Sequence, residues 1–175
     1  MKLLMRRLLI VLGPLVLGAA GAETPKVSTT LPIEPHTTLT MYADEPVMHR
    51  ALLRAHHELP EFLEIADTPP RHLVNFSVRV LLIHGPLKEY IWISKFKQVD
   101  DKAFTGYVDD DIHMPTQFKR GDPFTFVRTD IADWTYTDTK TGRVHGAYTE
   151  CALLTLAPQD VAAKIRADHK LDCEF

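Results

Sequence analysis

Val74, Phe76, Val78, Val80 and Leu82 occupy every second position of the run from His72 to His84. Five apolar side chains at that period commit the segment to a β-strand with one buried face. Gly85-Pro86 follows as a turn. Glu89 to Phe96 then alternates again, with Tyr90, Trp92, Ser94 and Phe96 on one face and Ile91 and Ile93 on the other. Alternating runs joined by so short a turn form an antiparallel hairpin. Further strands are predicted at 103–108 after the polar turn 100–102, at 123–128 after Lys119-Arg120-Gly121-Asp122, at 133–137, and from Arg143 to Leu156, with 139–142 as a hairpin loop. Such a meander of five or six strands must have its apolar face covered.

Two helical segments are available to cover it. Asp44 is a good N-cap, Pro46 suits a first turn, and Met48, Leu52, Ala55, Leu59 and Phe62 recur at spacings of four and three, which places them on one helix face. Arg50, Arg54, His57, Glu58 and Glu61 fall mostly on the other side. Pro60 lacks the amide that a helix interior needs, so two short helices are expected, 45–58 and 60–66. Pro158 opens a C-terminal helix running to about His169. The expected fold is α+β: an antiparallel meander covered by an N-terminal helical pair and a C-terminal helix, in a single domain over 45–175. Residues 23–44, rich in Thr and Pro without a sustained apolar period, read as an extended, partly disordered leader.

Ahead of the leader, Lys2, Arg6 and Arg7 precede the apolar run Leu8 to Leu17, and Ala20-Gly21-Ala22 follows as a small-residue cleavage box. Residues 1–22 thus read as a secretory signal peptide cleaved before Glu23, rather than as an uncleaved anchor. The expected location is the periplasm or the exterior, with no membrane association after cleavage. Cleavage removes three of the 20 basic residues and none of the 23 acidic ones, leaving a net charge of −6 on 153 residues. That is the size of one domain with a core able to fold without metals or disulfides. An acidic chain without a Lys/Arg stripe disfavours nucleic acid as a partner; its charge serves solubility and also suits a cationic protein.

Cys151 and Cys173 lie in a compartment that permits a disulfide. If Cys151 sits in a strand, the chain advances about 17 Å to Leu156 at ~3.3 Å per residue. A twelve-residue helix then returns about 18 Å at ~1.5 Å per residue, which brings Cys173 level with Cys151. A bridge is expected; the alternative is one buried thiol and one on a frayed tail.

Catalytic motifs are missing: there is no G-x-S-x-G elbow, H-E-x-x-H, C-x-x-C or phosphate-cradling glycine loop. No cofactor is expected. His49 and His56 are two helical turns apart, about 10 Å, too far to share a metal. They read, with His57 and His72, as solvated histidines. Asp109, Asp111 and His113 are the candidates for a cation site, although the stretch lacks the central Gly and later Glu of a calcium loop, and the alternative is a solvated turn. Asp133, Trp134 and Tyr136, together with Trp92, are the candidate binding residues; the alternative makes Trp134 and Tyr136 core anchors and Asp133 a turn cap. Ser77 and Ser94 with any of nine histidines do not constitute a triad without geometry.

The runs Leu59-Pro60-Glu61-Phe62, Asn75 to Val80, Glu89 to Ile93, Phe104-Thr105-Gly106, Lys119 to Asp122, and above all Ile131-x-Asp133-Trp134-x-Tyr136 followed by Gly146-x-Tyr148-Thr149 resemble the YegJ-like family of small bacterial proteins, a domain of unknown function. The resemblance covers roughly residues 55–156. It implies an α+β fold and supplies no activity or catalytic residues. The leader and the helix with Cys173 lie beyond it. The functional expectation is an exported, non-enzymatic protein-binding module, such as an immunity protein against a secreted antibacterial toxin. The alternative is a periplasmic hydrolase or metal-dependent enzyme built on a cluster such as Asp111 and His113.

Overall fold

The computed structural model describes residues 27–34 and 37–173. The expected signal peptide, residues 1–22, lies outside the described residues. The fold is α+β, with a six-stranded antiparallel sheet, a separate two-stranded sheet and three α-helices among the described residues. In chain order the elements are β1 (Ser28–Glu34), β2 (Thr37–Tyr42), α1 (Pro46–Asp67), β3 (Leu73–His84), β4 (Leu87–Gln98), β5 (Ala103–Val108), β6 (Pro123–Val127), β7 (Ile131–Asp138), β8 (Arg143–Gly146), α2 (Tyr148–Leu153) and α3 (Gln159–His169). The large sheet has the order β6-β5-β4-β3-β7-β8. It meanders from β3 to β6, and β7 then returns to the other side of β3.

The Thr/Pro-rich segment expected as an extended leader forms strands β1 and β2, paired in register from Ser28–Tyr42 to Leu31–Leu39. Leu31 and Leu39 pack on the core and Met41 is buried, so alternation places one side of this hairpin inward.

The expected pair of N-terminal helices is one helix. Pro60 lies inside α1, and the helix runs on to Asp67. Pro60 and His56, whose carbonyl loses its amide partner, are both exposed, so water can satisfy that group. Met48, Ala51, Ala55, Leu59 and Phe62 are the buried residues of α1, with Leu52 only half-buried. They meet Val78, Val80, Leu82, Ile91, Ile93 and Trp134 in the main core.

Three irregularities re-aim strand faces. Asn75 has φ 56°, and the β3–β7 register shifts between Val74 and Ser77, so Val74, expected on one face with Phe76, Val78, Val80 and Leu82, stands opposite Thr137 outside the main core. Lys95 has φ 50°, and the β4–β5 register shifts between Ser94 and Lys97. One extra residue inverts the alternation. Phe96, expected beside Tyr90 and Trp92, therefore packs with the core that holds Ile91 and Ile93. In β7, the β3 register shifts so that Ile131 faces Val80 while Asp133 faces Arg79. Ile131 and Trp134 consequently both reach the main core.

The predicted strand from Arg143 to Leu156 stops at Gly146, and Cys151 lies on α2. Gly146 (φ 79°) and Ala147 (φ 52°) turn the chain out of the sheet in succession. A Cβ on Gly146 would lie 2.2 Å from Trp134 O, so this approach of β8 to β7 requires glycine. Cys151 and Cys173 are joined nonetheless, with Cα atoms 5.5 Å apart. The bridge links α2 to the tail rather than a strand to the tail. Ala162 and Ile165 of α3 join Ala147, Cys151, Leu154 and Leu171 in a second apolar cluster. Val144 N–H donates to Lys170 O (2.8 Å) and Asp172 N–H to Val144 O (2.9 Å), which docks the tail beside β8.

Candidate functional site

The four candidate binding residues divide between the two faces of the sheet. Trp134 pairs with Val78 on the core side. It stacks on Phe62 at 4.7 Å between centroids, and its indole N–H donates to Ala55 O at 3.0 Å. Tyr136 stacks on Phe76 (5.5 Å) and Trp134 (6.0 Å). Both aromatics thus anchor α1 and the core. Asp133 and Trp92 sit in register with Arg79 on the other face.

Arg79, unremarked in the sequence, occupies the centre of that face. It is buried, at 5% exposure, and stands over the Trp92 ring at 5.4 Å. Its Nη1 donates to Thr149 Oγ1 at 3.1 Å, while Nε has no hydrogen-bond partner among the described residues. Asp133 accepts from its neighbour's amide, Trp134 N–H (2.8 Å), from Thr149 N–H (2.7 Å) and from the Thr149 hydroxyl (2.6 Å). Burial pushes the Asp133 carboxyl above the usual carboxylate range, and burial lowers the Arg79 pKa. Asp110, whose Oδ2 takes the Trp92 N–H at 3.3 Å, is likewise raised by burial. The signal for this centre was present in the strand pattern: Arg79 lies between Val78 and Val80, where the face opposite the core was expected to meet water.

The cation candidates do not converge. Arg120 Nη1 holds Asp109 at 2.9 Å, and its Nε lies 3.4 Å from Asp111. His113 instead pairs through Nδ1 with Glu89 at 2.9 Å. Glu89 also accepts the backbone N–H groups of His113 and Met114 at 3.1 Å, which ties the 113–115 loop to β4. Among the described residues no group of three His, Cys, Asp or Glu side chains is placed to hold a metal ion. His49, His56 and His57 are exposed on α1. Ser77 and Ser94 face each other in register, and neither is hydrogen-bonded to a histidine among the described residues.

Two clefts border this machinery. The smaller, about 290 Å³, is lined by Ser77, Trp92, Thr135, Glu150 and His169 among others. The larger, about 540 Å³, lies between β4 at Leu87–Tyr90, the hydroxyl-bearing face of the β1–β2 hairpin and the 113–115 loop.

A family model described as "Uncharacterized protein conserved in bacteria (DUF2314)" matches residues 45–172, from the start of α1 to the docked tail. The chain belongs to this family. The DUF2314 match takes in Arg79, Asp133 and Thr149, and leaves the β1–β2 hairpin outside. The chain is also similar to the uncharacterized protein YegJ of Escherichia coli (strain K12), with 26% identity over 163 residues, 93% of this chain and 97% of that protein. No solved structure matches. Among the described residues no helix is long and apolar enough to cross a membrane.

Proposed function

We propose that this DUF2314 protein is an exported, non-enzymatic protein-binding module of the bacterial envelope, such as an immunity protein that occupies a secreted antibacterial toxin. The supporting observation is the larger cleft together with the β3–β4 tip beside it, where Ile83 and Leu87 are 58% and 43% exposed. Exposed apolar side chains around a concavity are what a partner buries. The carboxylates nearby are already engaged, Asp109 and Asp111 by Arg120 and Glu89 by His113. The signal-peptide pattern of residues 1–22 supports a site of action in the periplasm or outside it.

A photo-cross-linking residue at position 83, introduced into the chain in its native envelope, tests this. The expected result is a discrete protein adduct, lost on Leu87→Asp, from a species whose mass begins at Glu23. Absence of any adduct, or a cytoplasmic protein retaining residues 1–22, would overturn it.

The Glu89–His113 pair favours a second reading, a periplasmic hydrolase. A carboxylate on Nδ1 orients a histidine and supports it as a base, and this pair lines the larger cleft. Turnover of a cell-wall or lipid substrate that disappears in His113→Ala would establish this reading in place of the first.

A further inference from the structure

The larger cleft is bordered by residues from both side-chain sets of β4: Leu87 and Glu89 alternate with Lys88 and Tyr90. Neighbouring residues of a strand point to opposite faces, so a cleft that touches both sets runs along the strand's edge. That edge is open. β5 pairs with β4 from Gln98 back to Ile93, and the last backbone bond on this side is Asp109 N–H to Trp92 O at 2.8 Å. The Asp110 side chain then takes the Trp92 N–H, and the chain leaves the track. Peptide groups of an antiparallel strand alternate in direction, so Tyr90 and Lys88 turn their N–H and C=O away from β3, as Trp92 does. Among the described residues these outward groups have no hydrogen-bond partner.

We infer that this edge receives an extended segment of a partner polypeptide, which pairs with Lys88 and Tyr90 as an added strand on the track that β5 leaves at Asp109. The inference rests on the protein-binding reading and names the mode of binding. Unpaired main-chain groups at a strand's repeat recognise another main chain. The stretch Leu87–Tyr90 provides about 13 Å of edge at ~3.3 Å per residue. Glu89 holds the amides of His113 and Met114 and so keeps the loop as an outer wall of the slot. The cleft offers apolar Leu87, Met114 and Pro115 together with hydroxyls of Ser28, Thr30 and Thr38, which matches a segment alternating apolar and polar residues.

Short random peptides displayed on phage, selected against the chain from Glu23 onward, supply the probe. The best binder is then N-methylated one peptide nitrogen at a time, and amide exchange of the protein is followed in its presence. Added-strand pairing predicts slowed exchange at Lys88 and Tyr90. It also predicts at least tenfold weaker binding, about 1.4 kcal/mol, on methylation at alternate positions only. A comparable loss is expected in Thr30→Tyr, whose ring fills the cleft from the exposed side of the hairpin. Binders that protect other amides, binders that lose affinity without a two-residue period, or a library yielding no binder would each overturn the inference. A concentration-dependent dimer with the same protection would assign the edge to a second copy of the chain and overturn the partner assignment. Peptide selection needs no envelope protein, so it can fail while the cross-link at position 83 succeeds, and the reverse.

Discussion

The Thr149 hydroxyl lies 2.6 Å from Asp133 Oδ2 and 3.1 Å from Arg79 Nη1, so one side chain on α2 joins a buried carboxylate of β7 to a buried guanidinium of β3. The two charged residues face each other in register, yet the hydroxyl mediates between them. Removing one partner of a buried charged group strands the other, at a cost that exceeds the value of the bond itself.

Thr149→Val deletes this hydroxyl while keeping the side-chain volume. It should destabilise the protein by about 3 kcal/mol, whereas Thr149→Ser, which retains the hydroxyl, should cost about 1 kcal/mol or less. Urea unfolding of the two variants is the check. A loss in Thr149→Ser as large as that in Thr149→Val would show that the methyl matters as much as the hydroxyl, and an unchanged stability in Thr149→Val would show that the hydroxyl does not hold the two charged groups together.

Gly146→Ala combines a positive φ with a Cβ 2.2 Å from Trp134 O. Gly121 has φ 88°, and a Cβ added there would meet nothing within 4 Å, so Gly121→Ala incurs backbone strain alone, about 1–2 kcal/mol. The loss of stability in Gly146→Ala should be at least twice as large. Thermal unfolding of both variants reads the difference, and similar midpoints would mean that β8 can move away from Trp134 at little cost.

Burial, together with the Glu58 carboxylate to which its hydroxyl donates, pushes the Tyr148 phenol above its usual value of 10. A group whose folded pKa is raised contributes stability that is fully present below its unfolded value and is lost as pH rises toward the folded one. Stability should therefore fall above pH 10, and the fall should be shallower in Tyr148→Phe. Some slope will remain, because burial also raises Tyr90 and Tyr136. Denaturant midpoints measured across the alkaline range test this; identical slopes would remove Tyr148 from the alkaline transition.

The Cys151–Cys173 bridge spans a sequence separation of 22, for which loop-closure entropy gives about 3 kcal/mol. Cys173→Ser should lower the melting temperature and speed amide exchange at Val144 and Asp172, whose bonds dock the tail. Exchange at Val78, Val80 and Ile91 should stay slow, since the main core contains neither cysteine. Collapse of protection throughout would mean that the second cluster is needed for the sheet to form.

Several elements are legible in the sequence because their cause is local. The alternation of Phe76 to Leu82 and the Gly85-Pro86 turn produce β3 and β4, and the residues 103–108 match β5. The spacing from Met48 to Phe62 produces the buried face of α1. The break expected at Pro60 does not occur, because a proline interrupts a helix most severely where its lost bond is buried, and here it is exposed. The strand expected after Gly146 is helical instead, since its apolar run has no distinguishing period. Its Glu150, Ala152, Leu153 and Leu154 are helix formers rather than β-branched residues, a composition that favours the observed state.

The sequence alone determined the α+β class and the strand series from β3 to β7, because period and turn residues leave few options, and its motifs carry the family resemblance. That Cys151 and Cys173 are joined, and from a helix rather than a strand, was decided by the tertiary structure. Only the tertiary structure decided that Asp133 and Trp92 lie across the sheet from Trp134 and Tyr136, that Arg79 is buried between them, and that Glu89 rather than Asp111 holds His113. Bulges invert faces by a single residue, and β7 returns to β3 across the chain. Those long-range pairings bring residues together by geometry that no local spacing records.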